Sequence, residues 1–191
     1  MTENDIKPTL FPTRQDWRDW LEKNHDREEE IWLLCYKKHT GKQSVAYEEA
    51  VEEAICFGWI DSRVQTIDAD SYAQKFTRRK KNSTWSESNK ERVVKMIEQG
   101  CMTEAGIAAV REAKKGGHWD ELVPVDNLEV PPELEAALAA NPKAASNFEA
   151  FNSSQKKQYL WWVHSAKTGS TRKKRIKMTV KRAAMNKQWE G

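Results

Sequence analysis

Residues 56–89 read CFGWIDSRVQTIDADSYAQKFTRRKKNSTWSESN, and this stretch decides most of the fold of the first half of the chain. Gly58 ends a predicted helix, because glycine commonly closes helices in a left-handed conformation. Alternating residues then predict two strands over 59–67 and 71–79. Asp68–Asp70 lies between them and favours a tight turn, so we expect an antiparallel hairpin.

Two tryptophans bracket this hairpin. Trp59 begins the first strand, and Trp85 follows the basic run 78–81 just before Ser86, which is expected to cap the next helix. Surface loops do not need two tryptophans around a basic run. The pattern therefore indicates either a concave binding site or a tightly packed corner.

The rest of the chain extends this picture. Apolar spacing predicts helices beginning at Thr13 and covering 47–57, 86–99 and 103–115, with a further strand over 30–38. After a proline-rich segment every element reads as helical. The predicted fold class is α+β: a small antiparallel sheet with packed helices, followed by an all-helical C-terminal module. The expected domains are 11–120, a linker over 121–132, and the helical module over 133–188.

Composition narrows the function classes. The 191 residues are 38% hydrophobic and 32% charged, which is typical of a polar globular protein. No apolar run reaches the length of a membrane-spanning helix, and the N-terminus lacks the apolar core of a signal peptide, so we expect a cytoplasmic protein. The cysteines and histidines lack metal-ligand spacing, so no metal site and no cofactor are expected.

Charge is distributed unevenly along the chain. Residues 151–191 hold eleven Lys and Arg against one acid, for a net charge of +10, whereas the first 150 residues carry a net charge of −7. A basic tail of this strength can bind a nucleic acid, another anionic surface, or acids of its own chain.

The hairpin region supplies the candidate ligand-binding site. Basic side chains near a helix start, with hydroxyl and amide donors beside them, suit an anion, and an indole can stack on a planar ligand. An alternative is that the tryptophans belong to the core and the cations are solvated. The candidate residues are Trp59, Asp61, Arg63, Arg79, Ser83, Trp85 and Asn89.

Two other functions compete with ligand binding. A nucleic-acid-binding protein would use the 78–81 run together with the basic C-terminal helix, through Arg78, Lys80, Lys81, Arg172, Lys173 and Arg175. An enzyme would use Asp61 as a general base in a tryptophan-lined pocket. Asp61 could equally be structural, paired with Arg63 or Arg79. No second carboxylate or histidine completes an acid–base pair in the sequence, so no catalytic residue is assigned.

An ordered set of short motifs carries a family resemblance. The motifs are F-G-W-I-D at 57–61, F-T-x-R at 76–79, S-x-W-S-x-x-N at 83–89, G-x-M-T-x-A-G at 100–106, A-K-x-G-x-x-W at 113–119 and S-A-K-x-x-x-T-R-x-x-R-I at 165–176. Together they resemble the YdeI/OmpD-associated, or bacteriocin-protection, family over residues 11–187. The resemblance implies a role in envelope or bacteriocin stress protection and supplies no catalytic residues.

The leading interpretation is a non-enzymatic bacterial protein that binds a small anionic ligand or a protein partner. The sequence leaves the identity of the ligand, the partner and the oligomeric state open.

Overall fold

The computed structural model describes residues 6–189. The first five and the last two residues lie outside this range. The N-terminal segment, in which no signal peptide is expected, is therefore only partly described. The chain divides into two compact units, residues 1–120 and 121–191.

The first unit is built on a four-stranded sheet. Its strands are β1 (Thr9–Leu10), β2 (Glu30–Tyr36), β3 (Trp59–Thr66) and β4 (Ser71–Arg78), in the spatial order β1-β2-β4-β3. The pairs β2–β4 and β3–β4 are antiparallel, as expected for the hairpin. The two-residue strand β1 pairs with β2 in parallel, so the sheet is mixed rather than wholly antiparallel.

Four helices accompany this sheet. They are α1 (Arg14–Asn24), α2 (Tyr47–Cys56), α3 (Glu87–Glu98) and α4 (Glu104–Lys115). A 3-10 helix (Lys38–Thr40) follows β2. The expected caps are present: Thr13 and Asp16 form a reciprocal capping box, and the Ser86 side chain accepts from the backbone N–H of Asn89.

Two glycines allow the end of α2 to lie directly against α4. Gly58 adopts a φ of +74°, and a Cβ on it would lie 3.1 Å from the carbonyl oxygen of Ala105. A Cβ on Gly106 would lie only 2.3 Å from the carbonyl oxygen of Cys56. Gly58 of the F-G-W-I-D motif and Gly106 of the G-x-M-T-x-A-G motif therefore have a packing role, because any larger residue there would push the two helices apart.

Helices are the only regular secondary structure in the described residues of the second unit. It contains α5 (Val123–Asp126), α6 (Pro132–Ala139), α7 (Pro142–Ala150), α8 (Ser153–His164) and α9 (Gly169–Ala184). Helix α9 contacts α6, α7 and α8, and its Ile176 and Ala183 are buried with Tyr159 and Val163. The α+β class with a helical C-terminal part is confirmed. The one-turn helix α5 lies inside the segment predicted as a linker, and its Val125 is buried in this same core.

Candidate functional site

Arg79 and Trp85 are in contact in the first unit. Arg79 follows the last residue of β4, and its backbone N–H donates to the carbonyl of Gly58 at 2.9 Å. Trp85 stands just before the cap of α3 and is 1% exposed. The guanidinium carbon of Arg79 lies 3.6 Å from the centroid of the Trp85 ring, which is a close cation–π stack.

The Arg79 guanidinium has few hydrogen-bond acceptors for its N–H groups. Its Nη1 donates to the carbonyl of Thr84 at 3.3 Å, whereas Nε and Nη2 are buried without any acceptor among residues 6–189. Burial lowers the pKa of Arg79 to about 10, although the negative charge of Asp61 opposes this shift. Buried donors in proteins nearly always have partners, so a buried cation with two unpaired nitrogens is an exception that calls for an explanation.

A small cavity of about 150 Å³ adjoins this stack. The short side chains of α4 form one wall, and the basic run forms the other. The lining residues are Arg79, Lys80, Lys81, Trp85, Ala108, Ala109, Glu112 and Ala113. Lys80, Lys81 and Glu112 are exposed, so their charges are screened by water, whereas Nε and Nη2 of the half-buried Arg79 are shielded from it.

Asp61 has a different partner. Its carboxylate accepts from the hydroxyl of Tyr47 at 2.9 Å, and it forms no ion pair with Arg79. Burial, followed by the hydrogen bond to Asp61, raises the pKa of Tyr47 to about 12. Asp61 does not line the cavity beside Trp85. In the structure Asp61 is therefore the hydrogen-bond acceptor of Tyr47.

Asn89 belongs to a polar group on α3. Its side-chain oxygen accepts from Nη1 of Arg92 at 2.9 Å, and the other two nitrogens of Arg92 bind both carboxylate oxygens of Glu48 at 2.7 and 2.8 Å. The hydrogen bonds to Glu48 raise the pKa of Arg92, with a smaller contribution from Asp61. This bidentate pair links α2 to α3.

The other predicted ligand-binding residues lie in varied settings. Trp59 is fully buried in the core, where its indole N–H donates to the carbonyl of His25 and its ring meets Trp20 edge-on at 5.8 Å. Ser83 accepts from the backbone N–H of Lys80 at 3.1 Å and so shapes the basic loop. Arg63 is exposed, at an irregularity of β3 between Asp61 and Val64.

The cations of the nucleic-acid interpretation fall in both units. Arg78 donates to the carbonyls of Glu28 and Asp26 at 2.7 and 2.9 Å. In the second unit, Arg175 donates to the Ser165 hydroxyl at 3.0 Å and to the Trp162 carbonyl. Three cations of the set, Lys80, Lys81 and Lys173, are exposed. Arg172 is half-buried and pairs with Glu133 at 3.4 Å.

One cluster of paired charges was not predicted from the sequence. Glu52 and Glu53 of α2 are 1% and 2% exposed, yet both are paired. Glu53 binds Arg14 at 2.5 Å and Arg18 at 2.7 Å, while Glu52 binds Arg14 at 2.8 Å and also Lys95. The spacing of Arg14 and Arg18 on one face of α1 was the only available signal.

The described residues contain no group of three or more His, Cys, Asp or Glu side chains arranged to hold a metal ion. None of the helices within 6–189 combines the length and apolar character needed to cross a membrane.

Comparisons with known protein families give two matches, one within each unit of the chain. Residues 9–109 match the family described as Domain of unknown function (DUF8412), and residues 127–186 match the family described as Bacteriocin-protection, YdeI or OmpD-Associated. The resemblance deduced from the motifs is thus confirmed, over a shorter range than the expected 11–187. No curated protein matches the chain, and no solved structure does. Because the first match covers just over half of its length, the chain belongs to the DUF8412 family, and its second unit carries the match to the bacteriocin-protection family.

Proposed function

We propose that the first unit is a binding domain for a small anion, carried as a carboxylate or phosphate group, in the cavity beside Arg79 and Trp85. The observation that carries this proposal is the buried Arg79 guanidinium, whose Nε and Nη2 have no acceptor within residues 6–189. A buried charge without a partner destabilises the protein that holds it. Such a residue is expected where function, rather than stability, requires it.

The chemistry of Arg79 fits an oxyanion. The guanidinium presents its N–H groups in a planar fork that matches a carboxylate or phosphate edge. In the ligand-free structure Trp85 covers one face of this fork, and Nε and Nη2 are screened from solvent. Binding therefore includes a small displacement of the Arg79 side chain toward the cavity. The exposed Lys80 and Lys81 attract the anion to the entrance.

The second unit supports a biological setting for this binding. Its match to the bacteriocin-protection family supports a role in protection against bacteriocins. That this role is exerted by binding rather than by catalysis is part of the proposal. A cytoplasmic location stays a prediction, as do the domain limits deduced from the sequence.

A substitution at Arg79 tests the proposal. Thermal unfolding of the full chain is measured in chloride, acetate and phosphate at equal ionic strength, for the unmodified protein, for Arg79→Met and for Arg63→Met. Arg63 is the matched control because it is an exposed cation of the same unit that does not line the cavity, although the sequence made it a candidate ligand-binding residue. We expect acetate or phosphate to raise the melting temperature above that in chloride for the unmodified protein and for Arg63→Met, and to have no such effect on Arg79→Met.

The same variants exclude a purely structural role. Methionine is apolar but shorter than arginine, so removal of the poorly paired charge should offset the lost contacts with Trp85 and leave ligand-free Arg79→Met about as stable as the unmodified protein. If Arg79→Met instead unfolds at a much lower temperature and neither anion stabilises the unmodified protein, Arg79 serves to hold Trp85 in place and the proposal is wrong.

A further inference from the structure

An unfilled space lies between two helices of the second unit. A groove of about 410 Å³ runs between α6 and α9. It is lined on one side by Ala137 of α6 and by Ala140, the residue that caps the C-terminus of α6, and these short side chains leave the space beside α9 unfilled. Pockets that bind small ligands have volumes of roughly 300–1,000 Å³, so the groove has the size of a ligand site.

The floor of the groove is apolar. Ile176 is 8% exposed and belongs to the core, and Ala137 and Val180 pack against that core from its edge. Ile176 and Val180 are four residues apart on α9, so they form one continuous strip along the floor. An aliphatic chain lying on this strip would be removed from water on the side that faces the protein.

Two cations flank this floor. Lys173 and Lys177 both line the groove, both are exposed, and neither has an acidic partner among residues 6–189. They are one turn apart on α9, so their ammonium groups can reach a single anionic head group.

The remaining acid of the groove is already neutralised. Glu133 pairs with Arg172 at 3.4 Å, and Arg172 is the second cause, after a backbone hydrogen bond, of the lowered pKa of Glu133. Glu133 precedes Ala137 by one turn and Arg172 precedes Ile176 by one turn, so this ion pair lies at the end where both helices begin. The uncompensated charge of the groove is therefore positive and comes from Lys173 and Lys177.

We infer that this groove binds a single-chain amphiphile with an anionic head group: the aliphatic chain would lie on the strip of Ile176 and Val180, and the head group would bind Lys173 and Lys177. Insertion of α9 into a lipid bilayer does not fit the same residues, because Ile176 and Ala183 are committed to the core of the unit. The site lies in the second unit, so it is independent of the anion site proposed beside Arg79.

Decanoate is a suitable probe, used below the concentration at which it forms micelles. Its binding to the full chain is measured by calorimetry, beside decyltrimethylammonium, which has an aliphatic chain and the opposite charge, and beside octanoate, which is shorter. We expect decanoate to bind and the cationic amphiphile not to bind. Each methylene that contacts the floor on one side only should tighten binding about twofold, since complete burial gives about fourfold, so octanoate should bind about fourfold more weakly.

Variants locate the site on α9. The double substitution Lys173→Gln/Lys177→Gln should weaken decanoate binding roughly threefold to tenfold, as expected for exposed ion pairs. Lys174→Gln/Lys181→Gln is the matched control, because it removes the same charge from exposed positions of the same helix that do not line the groove. Ala140→Trp should block the groove and abolish binding, while leaving the exposed end of α6 folded.

Three results would overturn the inference. Equal binding of the cationic amphiphile would show that charge does not select the ligand. Equal weakening by both lysine pairs would show that net charge, rather than the groove, attracts decanoate. If decanoate fails to bind while an acidic helical peptide binds in a manner sensitive to Ala140→Trp, the groove is a docking site for a protein.

Discussion

The Arg79 guanidinium carbon lies 3.6 Å from the centre of the Trp85 ring, and two nitrogens of the same guanidinium have no acceptor among residues 6–189. A cation–π stack offsets part of the cost of burying a charge, with about 2 kcal/mol when the pair is desolvated. It does not supply the hydrogen-bond acceptors that the in-plane N–H groups need. Arg79 therefore retains an affinity for an oxygen anion, which distinguishes it from Arg92, whose fork is already occupied by Glu48.

Glu53 should be the most sensitive acidic residue of the first unit. Glu53→Gln removes a buried charge that binds both Arg14 and Arg18. The two arginines keep Glu52 and Glu22 as acidic partners, so the loss of charged hydrogen bonds should lower the free energy of unfolding by about 1.5–3 kcal/mol. Glu22→Gln removes an exposed partner of Arg18 and should change it by less than about 1 kcal/mol. Denaturant titration of both variants measures the difference. Equal effects would mean that the buried cluster adds nothing to stability.

The alkaline limit of stability should depend on Tyr47. Its pKa is raised to about 12, first by burial and then by the hydrogen bond to Asp61, from an ordinary value of 10.0. Because the folded state holds this proton more tightly than the unfolded state, the contribution is complete below pH 10 and is lost as the pH rises toward 12. Tyr47→Phe should therefore show a shallower loss of stability across this window, measured by denaturant titration at several pH values.

Tyrosinate absorbance provides a direct check on this assignment. In the folded protein one group titrating near pH 12 should disappear in Tyr47→Phe. Tyr72, whose pKa is also raised to about 12 by burial, should keep its titration in that variant and acts as an internal control. A Tyr47 that ionises near pH 10 in the folded protein would contradict the proposed hydrogen bond.

A single methyl group at Gly106 should be strongly destabilising. Its Cβ would lie 2.3 Å from the backbone carbonyl oxygen of Cys56, so α2 and α4 would have to separate. Overpacking of this kind typically costs about 1–3 kcal/mol, and the clash with backbone favours the upper end. Gly169→Ala is the comparison, since no atom of residues 6–189 lies within 4 Å of the added Cβ, and helix propensity predicts no loss of stability there. Thermal unfolding that finds Gly106→Ala and Gly169→Ala alike would show that the two helices are not tightly packed.

Ile176 should contribute more to the free energy of unfolding than the basic residues around it, because α9 packs on the core of the second unit. Ile176→Ala removes a buried side chain from the core of the second unit and should cost roughly 2–4 kcal/mol. Arg172→Ala removes a partly exposed ion pair with Glu133 and should cost less than about 1 kcal/mol. Denaturant titration of the two variants compares them. A neutral Ile176→Ala would mean that α9 is not held by its apolar stripe.

The sequence alone predicts the elements whose signals are local. Gly58, the turn at Asp68 and the cap at Ser86 set the limits of α2, the hairpin and α3, because each acts through backbone groups within a few residues. Asp68, for example, accepts from the backbone N–H groups of Asp70 and Ser71 at 2.8 and 2.7 Å. The helices of the second unit are predicted for the same reason. The two-residue strand β1 is not, since only its pairing with the distant β2 defines it.

The types of residue in the candidate site were predictable from the sequence, but which of these residues meet in space was only partly predictable. Trp59 and Trp85 both flank the hairpin and both are buried, yet Trp59 packs on Trp20 whereas Trp85 stacks on Arg79, because the tertiary fold gives them different partners. The tertiary structure also decided that Glu52 and Glu53 are buried, since their partners come from α1 and α3. Finally, the groove of the second unit depends on which face α6 turns toward α9. Distant contacts decide such features, because burial, pairing and open space are properties of assembled elements rather than of neighbouring residues.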